Sequence, residues 1–300
     1  MKIIFSYWSD ANPEEKFFFK EIAAVSNYFA KQHGYETVLY TDVSGNLLLN
    51  KIDYDNIILM PENLLNKFPK TGWSLGKLLA TSMIKEPFFH LDFDLFLFKP
   101  LEENIINSPI TFLHDEIWMD AILANSSFVL KKKPELLKNL NNYRSYNCAI
   151  FGGKDYKTFN EVSKYIYEYA IENAEFLEKI STQQRTFKNK KIVNDYLYLA
   201  MILEQLWLPQ IIKLKGFDLK TILHNSKMDK FINKNYAEDI DTKNFTKQTR
   251  NFEHDKEYRE YFWLLNKEAS NKGYIHFFAK NKQNYKENII SFVKEKGLKC

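Results

Sequence analysis

Between Lys85 and Leu101 the chain reads KEPFFHLDFDLFLFKPL, and no other stretch narrows the choice of fold as far. An apolar and aromatic run of this length, bounded by Pro87 and Pro100, predicts one strand buried on both faces, as parallel sheets require. Set into it are two carboxylates, Asp92 and Asp94. Residues two apart in an extended chain point the same way, so both acids face one spot. Unpaired carboxylates inside a core are costly, and something must meet them there. A divalent cation carried by a ligand is the economical partner. The plainer alternative is that the acids cap a turn or pair with a buried lysine.

The residues on either side supply the architecture. Lys2–Tyr7 reads as a strand, and Pro13 opens a helix with Glu14 and Glu15 in its first turn. Phe18, Ile22, Val25 and Phe29 keep the helical period, and His33-Gly34 closes it. Glu36–Tyr40 and Asn56–Met60 read as further strands, which makes the start a βαβ unit of an α/β fold with a parallel sheet. A helix over Gly72–Lys85 delivers the chain into the acidic strand. Ile110–His114 is another strand, running out into Asp115-Glu116. Helical patterns span Trp118 to about Leu130 and resume after Pro134. Tyr146–Phe151 is strand-like and ends in a sharp Gly152-Gly153 turn before a helix reaching about Leu177. Asn194–Leu206 is helical and carries Glu204. The polar stretch 228–272 is expected to be a surface insertion with one amphipathic helix, marked by Tyr258, Tyr261, Phe262 and Leu265. Tyr274–Phe278 is a short strand containing His276, and a basic amphipathic helix covers about 285–298. The expectation is a single α/β domain over residues 1–300, with a central, mostly parallel sheet flanked by helices.

Composition excludes several classes. Hydrophobic residues make up 45% of the 300, ample for a large core. The start MKIIFSYWSD turns polar too soon for a signal peptide, and no apolar run approaches the roughly 20 residues of a membrane span. Two cysteines, Cys148 and Cys300, suit a reducing compartment, so the expected location is the cytoplasm. The last 30 residues hold seven lysines against two acids, an excess of five out of a net +4, so the other 270 sum to −1. That is not the spread of basic residues a nucleic-acid binder needs. The C-terminal helix either packs its stripe of Tyr285, Ile289, Phe292 and Val293 on the domain or lies on the inner face of an anionic membrane.

Five segments occur in a telling order: WSLGK from Trp73, the acidic run from Pro87, YNCAIFGG from Tyr146, LEQ from Leu203 and HFFAKNK from His276. Together they resemble the bacterial glycosyltransferases of the GT-A fold, which use a nucleotide-sugar and a metal held by a DxD motif. The resemblance spans residues 1 to about 284. It implies a Rossmann-like GT-A domain that transfers a sugar from a nucleoside diphosphate donor, UDP-linked by expectation, to a hydroxyl on a glycan or lipid-linked acceptor in surface-glycan synthesis. It further implies that Asp92, Asp94 and His276 hold Mn²⁺ or Mg²⁺, the imidazole tilting the choice to Mn²⁺. Lys77 and Lys282 would meet the donor's diphosphate, Asn147 its sugar, and Tyr7 and Trp8 its base, with Glu204 close to the sugar being transferred. Ala149 and Ala279 stand where the family often has glycine. Two other readings are a metal-dependent phosphohydrolase with an aspartate nucleophile and a catalytically silent carbohydrate-binding protein of the same fold. The phosphohydrolase motif normally follows the first strand and continues Gly-Thr, whereas Leu95-Phe96 stands here.

Overall fold

The computed structural model describes residues 1–11, 18–69, 72–116, 134–138, 144–182, 185–187, 190–192, 196–224, 226–229, 231, 256–276 and 285–300. Its centre is a seven-stranded sheet made of β1 (Lys2–Tyr7), β2 (Glu36–Thr41), β3 (Asn56–Leu59), β4 (Phe88–Leu91), β6 (Thr111–Asp115), β7 (Tyr146–Gly153) and β10 (Lys220–Thr221). The strands lie in the order β10-β6-β7-β4-β1-β2-β3, and β8 (Arg185–Phe187) pairs with β9 (Lys190–Ile192) in a separate antiparallel hairpin. Pairing is parallel from β3 through β2 and β1 to β4, and again between β10 and β6. Only β7 runs the other way, antiparallel to both β4 and β6. The α/β class with a mostly parallel sheet is therefore what the chain adopts.

Each face of the sheet carries its own core, because successive strand residues point to opposite sides. Ile4, Val38, Phe88, Phe112 and Phe151 pack under the helices Ser74–Met83, Tyr156–Glu172 and Leu208–Leu214. Ile3, Phe5, Leu39, Phe89 and Ile150 face the helices Phe19–Gln32, Lys256–Lys272 and Lys286–Glu295. The near-continuous apolar strands follow from this two-sided burial.

The acidic run departs from expectation. It is not one strand but two: β4 stops at Leu91, and β5 (Leu95–Leu97) pairs instead with β11 (Tyr274–His276) in a separate two-stranded sheet. Between them the chain turns, closed by Leu95 N–H donating to the Asp92 carbonyl at 3.0 Å. An unbroken strand would carry both acids through the core, and the turn releases them from it while the flanking aromatics stay buried. Gly152 and Gly153 likewise do not form the expected turn but extend β7, at φ of +149° and +146°. A side chain at Gly152 would stand 2.1 Å from the Phe88 carbonyl oxygen, so the close β4–β7 contact needs glycine here.

Of the polar stretch 228–272, the described residues include one helix, and its apolar face packs on the core. Within the helix Lys256–Lys272, Tyr261, Leu264 and Leu265 are buried, and the Tyr261 hydroxyl donates to the Asp115 carbonyl at 2.6 Å. The C-terminal helix buries Ile289 and Val293, and Phe292 meets Tyr28 and Phe29 of the Phe19–Gln32 helix. Ile289, Phe292 and Val293 of its apolar stripe are thereby used in packing, which takes most of the face a membrane would use, while Tyr285 stays exposed. No helix among the described residues is long and apolar enough to cross a membrane. The expected helix over Trp118–Leu130, and Pro13 with its two glutamates, lie outside the described residues.

Candidate functional site

Strand direction gathers the candidate residues at one edge. β1, β4 and β6 all end there, bringing Tyr7, Asp92 and Asp115, and the reversed β7 begins there with Tyr146 and Asn147. Ligands of open α/β sheets bind at this carboxyl edge. The turn after β4 is tied to β7 by Asp92 N–H donating to the Ala149 carbonyl at 2.8 Å. The β5–β11 register sets His276 opposite Leu95, the residue after Asp94. Backbone geometry alone thus brings the three expected metal ligands into one neighbourhood. Two carboxylates in a turn beside an imidazole-bearing strand form a donor set that fits Mn²⁺ or Mg²⁺. Of His276 only the backbone is described, and Lys282 lies outside the described residues. Among the described residues no three His, Cys, Asp or Glu side chains gather as a metal cage.

The plainer alternative for Asp92 also holds: the residue borders a turn and pairs with a buried lysine. Lys77 Nζ lies 2.5 Å from Asp92 Oδ1 and 2.5 Å from Glu204 Oε1, and donates to the Cys148 carbonyl at 3.3 Å. Lys77 is carried by the Ser74–Met83 helix, and Gly76 lets that helix approach β1, since a Cβ there would meet Trp8 Cβ at 2.8 Å. The Ser74 hydroxyl donates to the Ala200 carbonyl at 2.8 Å, joining the helix to the chain that leads into Glu204. Glu204 itself sits in a π-helical segment, Ile202–Trp207, a rare turn found most often at functional sites. Burial alone would lower the Lys77 pKa, but Asp92 and Glu204 outweigh it and hold it above the usual lysine value. Burial raises Glu204 to about 7, against the pull of Lys77. Its second oxygen, Oε2, is buried and has no hydrogen-bond partner among the described residues. The site therefore keeps one fixed positive charge between one half-buried and one fully enclosed carboxylate.

A second buried acid was marked by the sequence only as a member of the Asp115-Glu116 pair. Asn147 Nδ2 donates to Glu116 Oε1 at 2.6 Å, and the Ala149 N–H donates back to Asn147 Oδ1 at 2.9 Å. Burial pushes Glu116 to about 8, with the Asn147 bond lowering it and the Asp115 charge raising it. Asp115 pairs with Arg144, whose guanidinium lies over the Tyr146 ring at 5.5 Å. Tyr7 and Trp8 are enclosed: Tyr7 packs on Phe19 and Phe93, Trp8 on Phe68. Beside them the buried Asp42 caps the Val43–Leu49 helix and accepts from Ser9 N–H at 3.0 Å. His90 is structural, as its place in the strand predicts: it contacts the Ser6 hydroxyl at 2.8 Å, stacks on Phe151, and burial holds its pKa well below the usual value.

Comparison with known proteins gives alignments to three solved structures and a family. The solved galactosyltransferase LgtC, in complex with donor and acceptor sugar analogs, aligns over 91% of this chain and 100% of its own, at 10% identity and a TM-score of 0.43. An active-site mutant of LgtC aligns over the same shares at 10% identity and 0.41. Mouse xyloside xylosyltransferase 1, in its apo form, aligns over 67% of this chain and 80% of its own, at 11% identity and 0.34. No curated protein matches the sequence. One family model, described as a family of unknown function (DUF6734), matches residues 1–295.

Proposed function

We propose that this chain, which belongs to the family of unknown function DUF6734, is a metal-dependent glycosyltransferase that moves a sugar from a UDP-sugar to an acceptor hydroxyl. The observation that carries the reading is the convergence at the sheet's carboxyl edge: Asp92, Asp94 and the His276 strand on one side, and the enclosed Lys77–Glu204 pair on the other. Asp92, Asp94 and His276 would hold Mn²⁺ or Mg²⁺, which offsets the charge that develops on a diphosphate leaving group. Lys77, and Lys282 beyond the described residues, would add fixed positive charge for the same group. The Asn147 amide, locked between Glu116 and the Ala149 N–H, presents a rigid edge for a sugar hydroxyl. Tyr7 and Trp8, at the end of β1, would border the base.

In the transfer, the acceptor oxygen bonds to the anomeric carbon as the bond from that carbon to the diphosphate breaks. UDP leaves, and the acceptor's proton passes to a base or to solvent. Glu204 is suited to the neighbourhood of the sugar because it is enclosed, tethered on one oxygen by Lys77 and left without a hydrogen-bond partner among the described residues on the other. The expected acceptor is a glycan, and surface-glycan synthesis is the expected setting. Incubation with a panel of UDP-hexoses in Mn²⁺, Mg²⁺ or EDTA tests the reading by the release of UDP. Metal-dependent release that Asp94→Ala abolishes is the expected result. Turnover of simple phosphomonoesters in place of UDP-hexoses would return the protein to the phosphohydrolases, and no turnover with either metal would leave only a binding role.

A further inference from the structure

Outside the site just described, the clearest unassigned feature is a cleft of about 510 Å³ along the β10 edge of the large sheet. Its wall includes Arg144, Tyr146, Lys213, Phe217, Lys220 and His224. Asp218 is the sole acid among the described residues of the lining, which also holds Lys213, Lys220 and Arg144, the last paired with Asp115. Lys213 stands exposed in the last turn of the Leu208–Leu214 helix, while the nearby Glu161 is paired with Lys215. Lys220 Nζ donates to the Asn104 carbonyl at 2.9 Å, a neutral partner that leaves its charge uncompensated. His224 lies 3.6 Å from Asp229, outside the lining.

Two further features mark the cleft as built rather than incidental. Arg144 is fixed on both sides, by the buried Asp115 at its guanidinium and by the Gln210 side chain at its carbonyl. Tyr146, under the Arg144 guanidinium, and Phe217 add aromatic rings to the lining, and rings with charged groups are the mixture on which a sugar with a charged substituent is held. The cleft also adjoins the candidate active site directly. Arg144 binds Asp115, and the next residue, Glu116, accepts from the Asn147 amide.

We infer that this cleft seats the acceptor, and that the acceptor carries an anionic group, a carboxylate or a phosphate on a sugar. The inference rests on the glycosyltransferase reading above and adds to it the acceptor's chemical class. Guanidinium and ammonium groups recognise both anions, Arg in a planar fork and Lys as a point charge. A neutral acceptor would leave the Lys213 and Lys220 charges without a role.

The test uses the full chain and three probes: methyl glucuronide, glucose 6-phosphate and neutral methyl glucoside, each titrated by NMR saturation transfer. Binding of UDP with Mn²⁺ is measured in parallel by calorimetry. One or both anionic sugars should bind about tenfold more tightly than the glucoside, the affinity of a single charge-assisted contact. Whichever binds tighter identifies the group. Raising salt should erode the preference, and the Lys213→Gln/Lys220→Gln double variant should lose it while keeping its melting temperature and its UDP affinity. Anionic sugars that bind no better than the glucoside, including not at all, overturn the inference, as does a double variant that retains the preference. If UDP with Mn²⁺ binds and the anionic sugars do not, the cleft alone is misassigned. If the anionic sugars bind and UDP does not, the cleft stands as a binding site and the donor reading falls.

Discussion

Two buried glutamates lie at the same edge of the sheet, and the protein treats them differently. Glu204 shares an enclosed lysine with Asp92, at 2.5 Å from each. Glu116 has an amide as its close partner, the Asn147 side chain at 2.6 Å, and the nearby arginine is spent on Asp115 instead. Burial raises both acids, Glu204 to about 7 and Glu116 to about 8. The lysine holds one carboxyl close to ionisation at neutral pH, and the amide leaves the other mostly protonated. A buried charge is costly unless paired, so the choice of partner decides which acid is available as a charge and which as a neutral hydrogen-bonding group.

Removing the lysine should break this contrast with the largest effect. Lys77→Met leaves Asp92 and Glu204 without their shared cation and should cost about 3–5 kcal/mol of stability at neutral pH. A carboxyl whose folded pKa lies above its unfolded value contributes stability at low pH and loses it as pH climbs through the folded value. Without Lys77 the Glu204 pKa rises further, so the variant should be penalised more at pH 8 than at pH 5, and adding Glu204→Gln should recover much of the loss. Urea denaturation at both pH values measures this; an equal cost at the two would show that Lys77 acts by packing alone.

Glu116→Gln sharpens the other half. Because Glu116 is raised from 4.5 to about 8, the wild type should lose stability on its account as pH rises across that window. The glutamine variant lacks that slope. Relative to wild type it should gain about 2 kcal/mol or more between pH 5 and pH 8.5, readable from denaturation midpoints. A parallel pair of pH profiles would mean that Glu116 is ionised throughout. The smallest effect belongs to Tyr261→Phe, which deletes the 2.6 Å bond to the Asp115 carbonyl. It should cost about 1 kcal/mol and leave the pH profile unchanged, since the lost partner carries no titrating charge.

The same comparison shows how far the sequence could be read. The βαβ start was legible because Ile22 and Val25 on the helix and the apolar strands around it carry separate periods, and those residues are buried as expected. The acidic run reads as one strand because aromatic residues satisfy a long strand and two short ones equally; only pairing with β11, about 180 residues later, distinguishes them. Lys77, Asp92, Asn147 and Glu204 were each named, but not which of them touch. Lys77 and Glu204 are 127 positions apart, and a residue's own neighbours say nothing about a partner at that distance. Glu116 was hardest to value, because an acid after a strand is usually solvated and its enclosure by Asn147 depends on the β6–β7 register. The helix Lys256–Lys272 shows in the sequence through Tyr261 and Leu265, both buried, whereas the bond from Tyr261 to Asp115, 146 positions away, does not.

The central claim is that Asp92 and Asp94 hold a metal that binds the donor's diphosphate, and calorimetry of UDP tests it most directly. Wild-type protein should bind UDP at least about tenfold more tightly with Mn²⁺ than with EDTA, a difference of about 1.4 kcal/mol. Asp94→Ala should remove that difference while its melting temperature holds or rises, because one of two neighbouring carboxylates is gone. Equal affinity for UDP with Mn²⁺ and with EDTA in the wild type, or a metal-dependent gain that survives Asp94→Ala, would contradict it.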